Sequence, residues 1–349
     1  MINETYWNDY YNFWDTFVKD WYDFISRGKT ISERAFVSFG RASCINVDEL
    51  PEPYLGSPVG NVEAVFLNLN PGMCQKGKYG IYKGKNLEAT KFYSNIDKPD
   101  ESVPNGWLIK DFSDEAKCSY KEFVSKWSCL NPELRWKVGK VKHEVCGVEW
   151  WQGNEANVIG GRMKWVRQIY GNNQLCPSHV FAPEMCPFHS AKWDFDILED
   201  SEIVEHIVSH VLNPAIVATH QHGLQFAIAI GKTFRDILEE IMAEKVANVS
   251  AIEEEKWYCK VNEGKRELSD NSLLSIWPTN DDGKFTIRSY YLYKVTVNND
   301  ITARILVTYA PGGNTPPAED FRDVEERIRQ SIASKYVSAN RVTQESKAE

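Results

Sequence analysis

Four short apolar runs, each halted by a turn rich in proline or glycine, constrain this chain more than any other feature. Val62–Leu67 leads into Asn68-Leu69-Asn70-Pro71-Gly72, and Ser178–Ala182 into Pro183-Glu184-Met185-Cys186-Pro187. Gln225–Ile230 stops at Gly231, and Ile301–Tyr309 at Ala310-Pro311-Gly312-Gly313. Largely apolar runs of this length read as strands buried on both faces. Helical patterns lie between and after them, over 233–247 and from Ala318 to about Tyr336. Strands interleaved with helices predict an α/β fold with a central, mostly parallel sheet of four strands covered on both faces. Ligands of such sheets bind beyond the carboxyl ends of the strands, and every one of these turns falls there.

The rest of the chain fits around that core. Trp7, Tyr10, Tyr11, Trp14, Phe17, Val18 and Trp21 recur at spacings of three and four, predicting an amphipathic helix over 5–26 that ends at Arg27-Gly28. One domain over 1–338 is expected, with a polar tail at 339–349. Two stretches read as insertions, a Trp- and Lys-rich one at about 99–172 and one at 248–300. The second holds charged loops and the alternating Ser289–Val295, half of a hairpin.

Composition narrows the function classes. The hydrophobic fraction of 42% supports a packed core, and the longest apolar stretches, such as Phe226–Ile230, are far too short to span a membrane. The aromatic segment Met1–Trp21 carries Asn and Asp and does not read as a signal peptide, so a cytoplasmic protein is expected. The eight cysteines include no Cys-x-x-Cys pair, which argues against a zinc ribbon and favours free buried thiols. Neither metal nor organic cofactor is expected, nor an obligate protein partner.

The net charge of −9 argues against indiscriminate nucleic-acid binding, but the charge is unevenly spread. Between Lys76 and Lys98 six lysines face Glu88 and Asp97, whereas 199–205 and 253–255 are acidic. Such a division suits a molecule with one DNA-facing side, and equally a solvated charged face.

The turns themselves carry a resemblance. Asn68-Leu69-Asn70-Pro71-Gly72 resembles the first motif of the uracil-DNA glycosylase superfamily, a strand followed by Gly-x-Asp/Asn-Pro-Tyr/Gly. Ala310-Pro311-Gly312-Gly313-Asn314 resembles the second motif, usually His-Pro-Ser at the end of the last strand. Pro183–Pro187 is similar to the family's base-reading strand end, and Ile230-Gly231-Lys232 to its strand-to-helix turn. The resemblance is one of order and spacing over residues 5–336 and implies a three-layer α/β/α sandwich. It also implies base flipping and hydrolysis of an N-glycosidic bond, with Asn70 and Pro71 as the catalytic turn. An Asn orients the attacking water by hydrogen bonds but cannot take its proton, which points to the Asn-type branch.

Two departures from the family pattern bear on substrate. Ala310 stands where the family has the His that donates to the leaving base, removing a contribution of about 2–4 kcal/mol in comparable sites. Glu184 stands where uracil enzymes read the base with Asn. Ionised, it accepts from the N4 amino group of a cytosine; protonated by burial, it also donates to the ring N3. Capping of a following helix, or pairing with Lys192, is the structural alternative. A cytosine reader compatible with the cell's own DNA requires a modified target. The resemblance extends to antiviral glycosylases that excise glucosylated hydroxymethylcytosine from phage DNA, and DNA is the expected partner.

The remaining roles come partly from the resemblance and, for His189 and the lysines, from position and charge. Tyr82, or else Tyr79, stacks on the flipped base, and Met73 leaves room at the pyrimidine C5 edge. His189 lies near the base-reading strand end and could donate to the base. Backbone N–H groups of Gly312 and Gly313 hold a phosphate or the base, and Asn314 takes the position of the wedge. Lys76, Lys78, Lys83 and Lys85 are candidate phosphate contacts. His220 and His222, flanking the loop before the third run, receive no role. No lysine occupies a motif position from which to attack the sugar, so no lyase step is expected. A uracil or mismatch glycosylase is the alternative within the same fold. A catalytically silent nucleic-acid-binding module is the alternative from another class.

Overall fold

The computed structural model of the chain describes residues 4–27, 45–46, 51–69, 161–190, 199–243, 246–262, 265–269, 285–298 and 300–309, with Glu326 and residues 328–330. In chain order these form α1 (Glu4–Arg27), β1 (Ile45–Asn46), β2 (Tyr54–Leu55), β3 (Ala64–Leu67), α2 (Gly161–Ile169) and β4 (Val180–Pro183). Then come β5 (His189–Ser190), α3 (Ser201–Ile207), α4 (Asn213–Gln221), β6 (Ala227–Ile230), α5 (Lys232–Met242) and β7 (Val249–Asn262). The last strands are β8 (Lys265–Ser269), β9 (Phe285–Val297) and β10 (Ile301–Tyr309).

All four apolar runs are strands of one sheet, ordered β2-β4-β3-β6-β10-β9-β7-β8. Neighbours β4, β3, β6 and β10 are mutually parallel, so their carboxyl ends share one edge. The sheet is wider than the four strands expected. Antiparallel β2 flanks β4 on one side, and β9, β7 and β8 continue antiparallel beyond β10 on the other. The stretch 248–300 therefore supplies strands to the central sheet, and Ser289–Val295 lies in β9, hairpinned to β10 as expected. Helix α5 stops at Met242 rather than Ala247, because the chain turns at Asn248 (φ +61°) to enter β7.

Period-two alternation assigns each strand's side chains to two separate cores. Val65 and Leu67 pack in one with α1, α3, α4 and α5; Ala64 and Phe66 pack in the other with Met163, Val166 and Ile169 of α2 and with Ile328. Helices thus cover both faces, which explains why the parallel strands are largely apolar. On α1, Trp7, Tyr10, Tyr11, Trp14, Phe17 and Val18 are all buried. Tyr10 packs on Tyr54 and Phe181, bringing α1 against β2 and β4. Each such large side chain contributes roughly 1.5–3 kcal/mol by burial. Between α3 and α4 the helix widens into one π turn, Val208–Leu212. Among the described residues no helix is long and apolar enough to cross a membrane.

Candidate functional site at the carboxyl edge of the sheet

The turns after β3 and β4 are fastened together by backbone hydrogen bonds. Asn68 N donates to Pro183 O at 3.1 Å, Met185 N to Asn68 O at 2.9 Å, and Cys186 N to Leu69 O at 2.8 Å. On the other side, Glu184 N donates to Pro53 O at 2.9 Å. The turn after β6 is tied to β10 itself, Gly231 N donating to Thr308 O at 3.0 Å. Gly231 adopts φ +113°, a conformation suited to glycine, as the chain passes from β6 into α5. Strands β3 and β10, from which the chain leads on to Asn70 and Ala310 respectively, therefore end on one edge with only β6 between them.

Side chains at this edge form an unusual buried polar group. Asn68 and Glu184 sit opposite each other in a parallel bridge, 5% and 3% exposed. Asn68 Nδ2 donates to Glu184 Oε1 at 2.9 Å. The other atoms of the pair, Asn68 Oδ1 and Glu184 Oε2, have no hydrogen-bond partner among the described residues. Burial pushes the Glu184 carboxyl well above the usual range, and the negative charge of Glu52 adds to this. The Asn68 amide and the positive charge of Arg162 pull it back, without reversing the direction.

Arg162 enters from α2. Its guanidinium lies 5.4 Å from the centre of the Phe66 ring and 4.8 Å from that of Trp165. Burial lowers its pKa to about 10, against the opposing influence of Glu184, so it remains a cation at neutral pH. Burial pushes both partners of this long-range pair towards their uncharged forms, the carboxyl upwards and the guanidinium downwards. The arrangement is a buried carboxyl biased towards its protonated form and fixed by an amide, with a cation over aromatic rings within its electrostatic reach. Such a group can donate and accept a hydrogen bond at once.

Of the expected site residues, Glu184 stands where the sequence put it, at the end of β4. Its partner is Asn68, not a helix N-terminus; Lys192 lies outside the described residues. His189 belongs to β5, whose two residues pair with β1, Asn46 opposite His189. Asn70, Pro71, Met73, Lys76, Lys78, Tyr79, Tyr82, Lys83, Lys85, Gly312, Gly313 and Asn314 lie outside the described residues. His220 and His222 are tied to backbone carbonyls, Nδ1 of His220 to Thr302 O and Nε2 of His222 to Pro58 O, each at 2.9 Å. Thr302 is near the start of β10, so His220 sits away from the carboxyl edge.

Sequence reasoning missed Asn68 and Arg162. Asn68 is two residues before Asn70, the spacing that puts neighbours of a strand on one face, and that signal was there to be used. Arg162 had none, since it lies in the Trp-rich stretch and reaches the site only through helix packing. Comparison of the chain with protein-family models, with curated proteins and with solved structures found no match.

Proposed function

We propose that this protein is a monofunctional DNA glycosylase of the uracil-DNA glycosylase type. Its substrate in this reading is a flipped, modified cytosine in phage DNA, with glucosylated hydroxymethylcytosine the leading candidate, and its product an abasic site. The observation that carries the reading is the buried Asn68–Glu184 pair, which closes the turn leading directly into Asn70-Pro71. Four parallel strands with helices on both faces agree with the three-layer sandwich of that superfamily. The antiparallel strands beyond β10 are additions to it.

The chemistry follows from which carboxyl oxygen holds the proton. Glu184 Oε1 accepts from the Asn68 amide, which favours the proton on Oε2. A neutral acid fixed in this way offers a donor to N3 and an acceptor to the N4 amino group, the complement of a cytosine edge. Uracil, with N3–H and O4, opposes that order. During hydrolysis a water oriented by Asn70 bonds to the sugar C1′ as the C1′–N1 bond breaks; the electron pair leaves with the base, the proton shed by the water passes to solvent, and solvent reprotonates the departing base. A hydrogen bond from Glu184 to N3 stabilises that developing charge, a task for which Ala310 has no donor.

The test is an abasic-site assay on DNA containing uracil, hydroxymethylcytosine or glucosylated hydroxymethylcytosine, with Asn70→Ala alongside. Product is expected on the glucosylated substrate, reduced roughly 100-fold or more in the variant. Product on uracil alone would favour the repair enzyme. Absence of product on every substrate would refute the enzyme and leave a binding module on the same fold.

A further inference from the structure

The Asn68–Glu184 pair is one end of a longer row. Continuing the strand register across the sheet, Asn68 stands level with Ile230, because Leu67 pairs with Ala229. Ile230 pairs with Thr308, Thr308 with Tyr290, and Tyr290 with Trp257. All six residues point to the same face, that of Phe66, Ile228, Leu306 and Leu292, which α2 covers. The row lies at the carboxyl end of the parallel strands.

Polar side chains are out of place in such a layer. Glu184, Asn68 and Thr308 are 3%, 5% and 0% exposed. Each carries an oxygen with no hydrogen-bond partner among the described residues: Oε2, Oδ1 and Oγ1 respectively. Leaving such a group unpaired costs about 1–3 kcal/mol, so three on one level call for a common explanation. Adjacent strands lie about 4.8 Å apart, so Thr308 is roughly 10 Å from Asn68 and roughly 14 Å from Glu184. That span exceeds a pyrimidine with its exocyclic groups. Between the polar positions Ile230 offers only apolar contact.

We infer that Glu184, Asn68 and Thr308 form one binding floor for a pyrimidine bearing a hydroxylated substituent. Asn68 and Glu184 take the edge of the ring, Ile230 lies under the carbon link, and the Thr308 hydroxyl bonds the substituent. A hydroxyl both donates and accepts, which suits the hydroxyls of a sugar. The inference rests on the glycosylase reading for its substrate and adds to it a residue, Thr308, that selects the substituent.

Thr308→Val tests it, because it removes the hydroxyl while keeping the shape and β-branching of the strand residue. Single-turnover abasic-site formation is compared on glucosylated and unglucosylated hydroxymethylcytosine in the same DNA. The variant should lose about tenfold more on the glucosylated base than on the other, the worth of one hydrogen bond to a hydroxyl that only the longer substituent carries as far as Thr308. Its thermal midpoint should match or exceed that of the wild type. Equal loss on both substrates, or loss on neither, would overturn the inference and leave Thr308 a core residue satisfied by water. Should the wild type cleave no DNA, the glycosylase reading fails by itself. The floor is then judged by thermal shift with free hydroxymethylcytidine and its glucoside. A larger shift with the glucoside, abolished in Thr308→Val, would sustain the floor, and no shift with either would refute it.

Discussion

At the scale of single residues, the protonation of Glu184 decides most. Its folded pKa lies above the unfolded value, so the stability it contributes is full below the ordinary carboxyl range and is lost as pH rises through the folded value. Glu184→Gln keeps an acceptor for the Asn68 amide and cannot ionise. The thermal midpoint of that variant should therefore gain on the wild type as pH is raised from about 4.5, and parallel curves would show that Glu184 ionises freely. Asn68→Ala should cost about 1–3 kcal/mol in denaturant unfolding, by leaving Oε1 of Glu184 without its donor. Glu184→Asn carries the substrate prediction: preference should move from cytosine-type to uracil-type bases in a competitive abasic-site assay. An unchanged ranking would remove Glu184 from base reading. Glu184 was legible in the sequence because a charged residue directly after an apolar strand is conspicuous. The upward push on its carboxyl was not, since burial and the amide that fixes it come from strands distant in sequence.

At the scale of elements, α1 is docked on two histidines, His206 buried and His210 half-buried. Phe13 stacks on His210 with ring centres 3.6 Å apart, and Trp14 meets His206 edge-on at 5.6 Å. Burial lowers the pKa of both, that of His210 to about 4. Each is therefore neutral when folded, while the unfolded chain binds protons from about pH 6.5 downwards. Their contribution is full above that value and declines as pH falls towards 4, by about 3 kcal/mol for His210 alone. Glu184 acts with the opposite sign above pH 4.5, so the comparison belongs in the Glu184→Gln background. There, His210→Phe should flatten unfolding free energy against pH between 6.5 and 4; an undiminished slope would assign it to other groups. The same scale shows why some elements escape sequence reading. The parallel strands and α1 announce themselves because burial on one or both sides imposes a pattern on neighbouring residues. In β7, Glu253-Glu254-Glu255 reads as a charged loop. Within the sheet, Glu254 accepts from Arg304 Nε at 2.6 Å and Glu253 from Tyr293 Oη at 3.4 Å, partners supplied by other strands. A bulge between Glu253 and Glu255 then shifts the register, so that Ala251 packs in one core and Trp257 in the other.

At the scale of the molecule, the proposed function requires a chain of net charge −9 to hold DNA through a local concentration of basic groups rather than its overall field. The lysine-rich stretch after Asn70 fits that need, since it continues from the strand whose end bears the proposed site. Binding through phosphates releases counterions, and log Kd against log salt has a slope set by the number of contacts, about 0.9 for each on duplex and about 0.7 on single strands. Replacing Lys76, Lys78, Lys83 and Lys85 together by Ala should therefore reduce the slope by about 3.6 on duplex or about 2.8 on single strands, if all four touch phosphate. Fluorescence anisotropy with unmodified DNA, which the reading leaves uncleaved, measures this without turnover. An unchanged slope would take the four lysines out of the interface and move the DNA-facing side elsewhere. A reduced slope with the substrate ranking intact would separate the two tasks physically. Phosphate contacts would fix the position of the strand, while the row at the sheet's carboxyl edge would select the base.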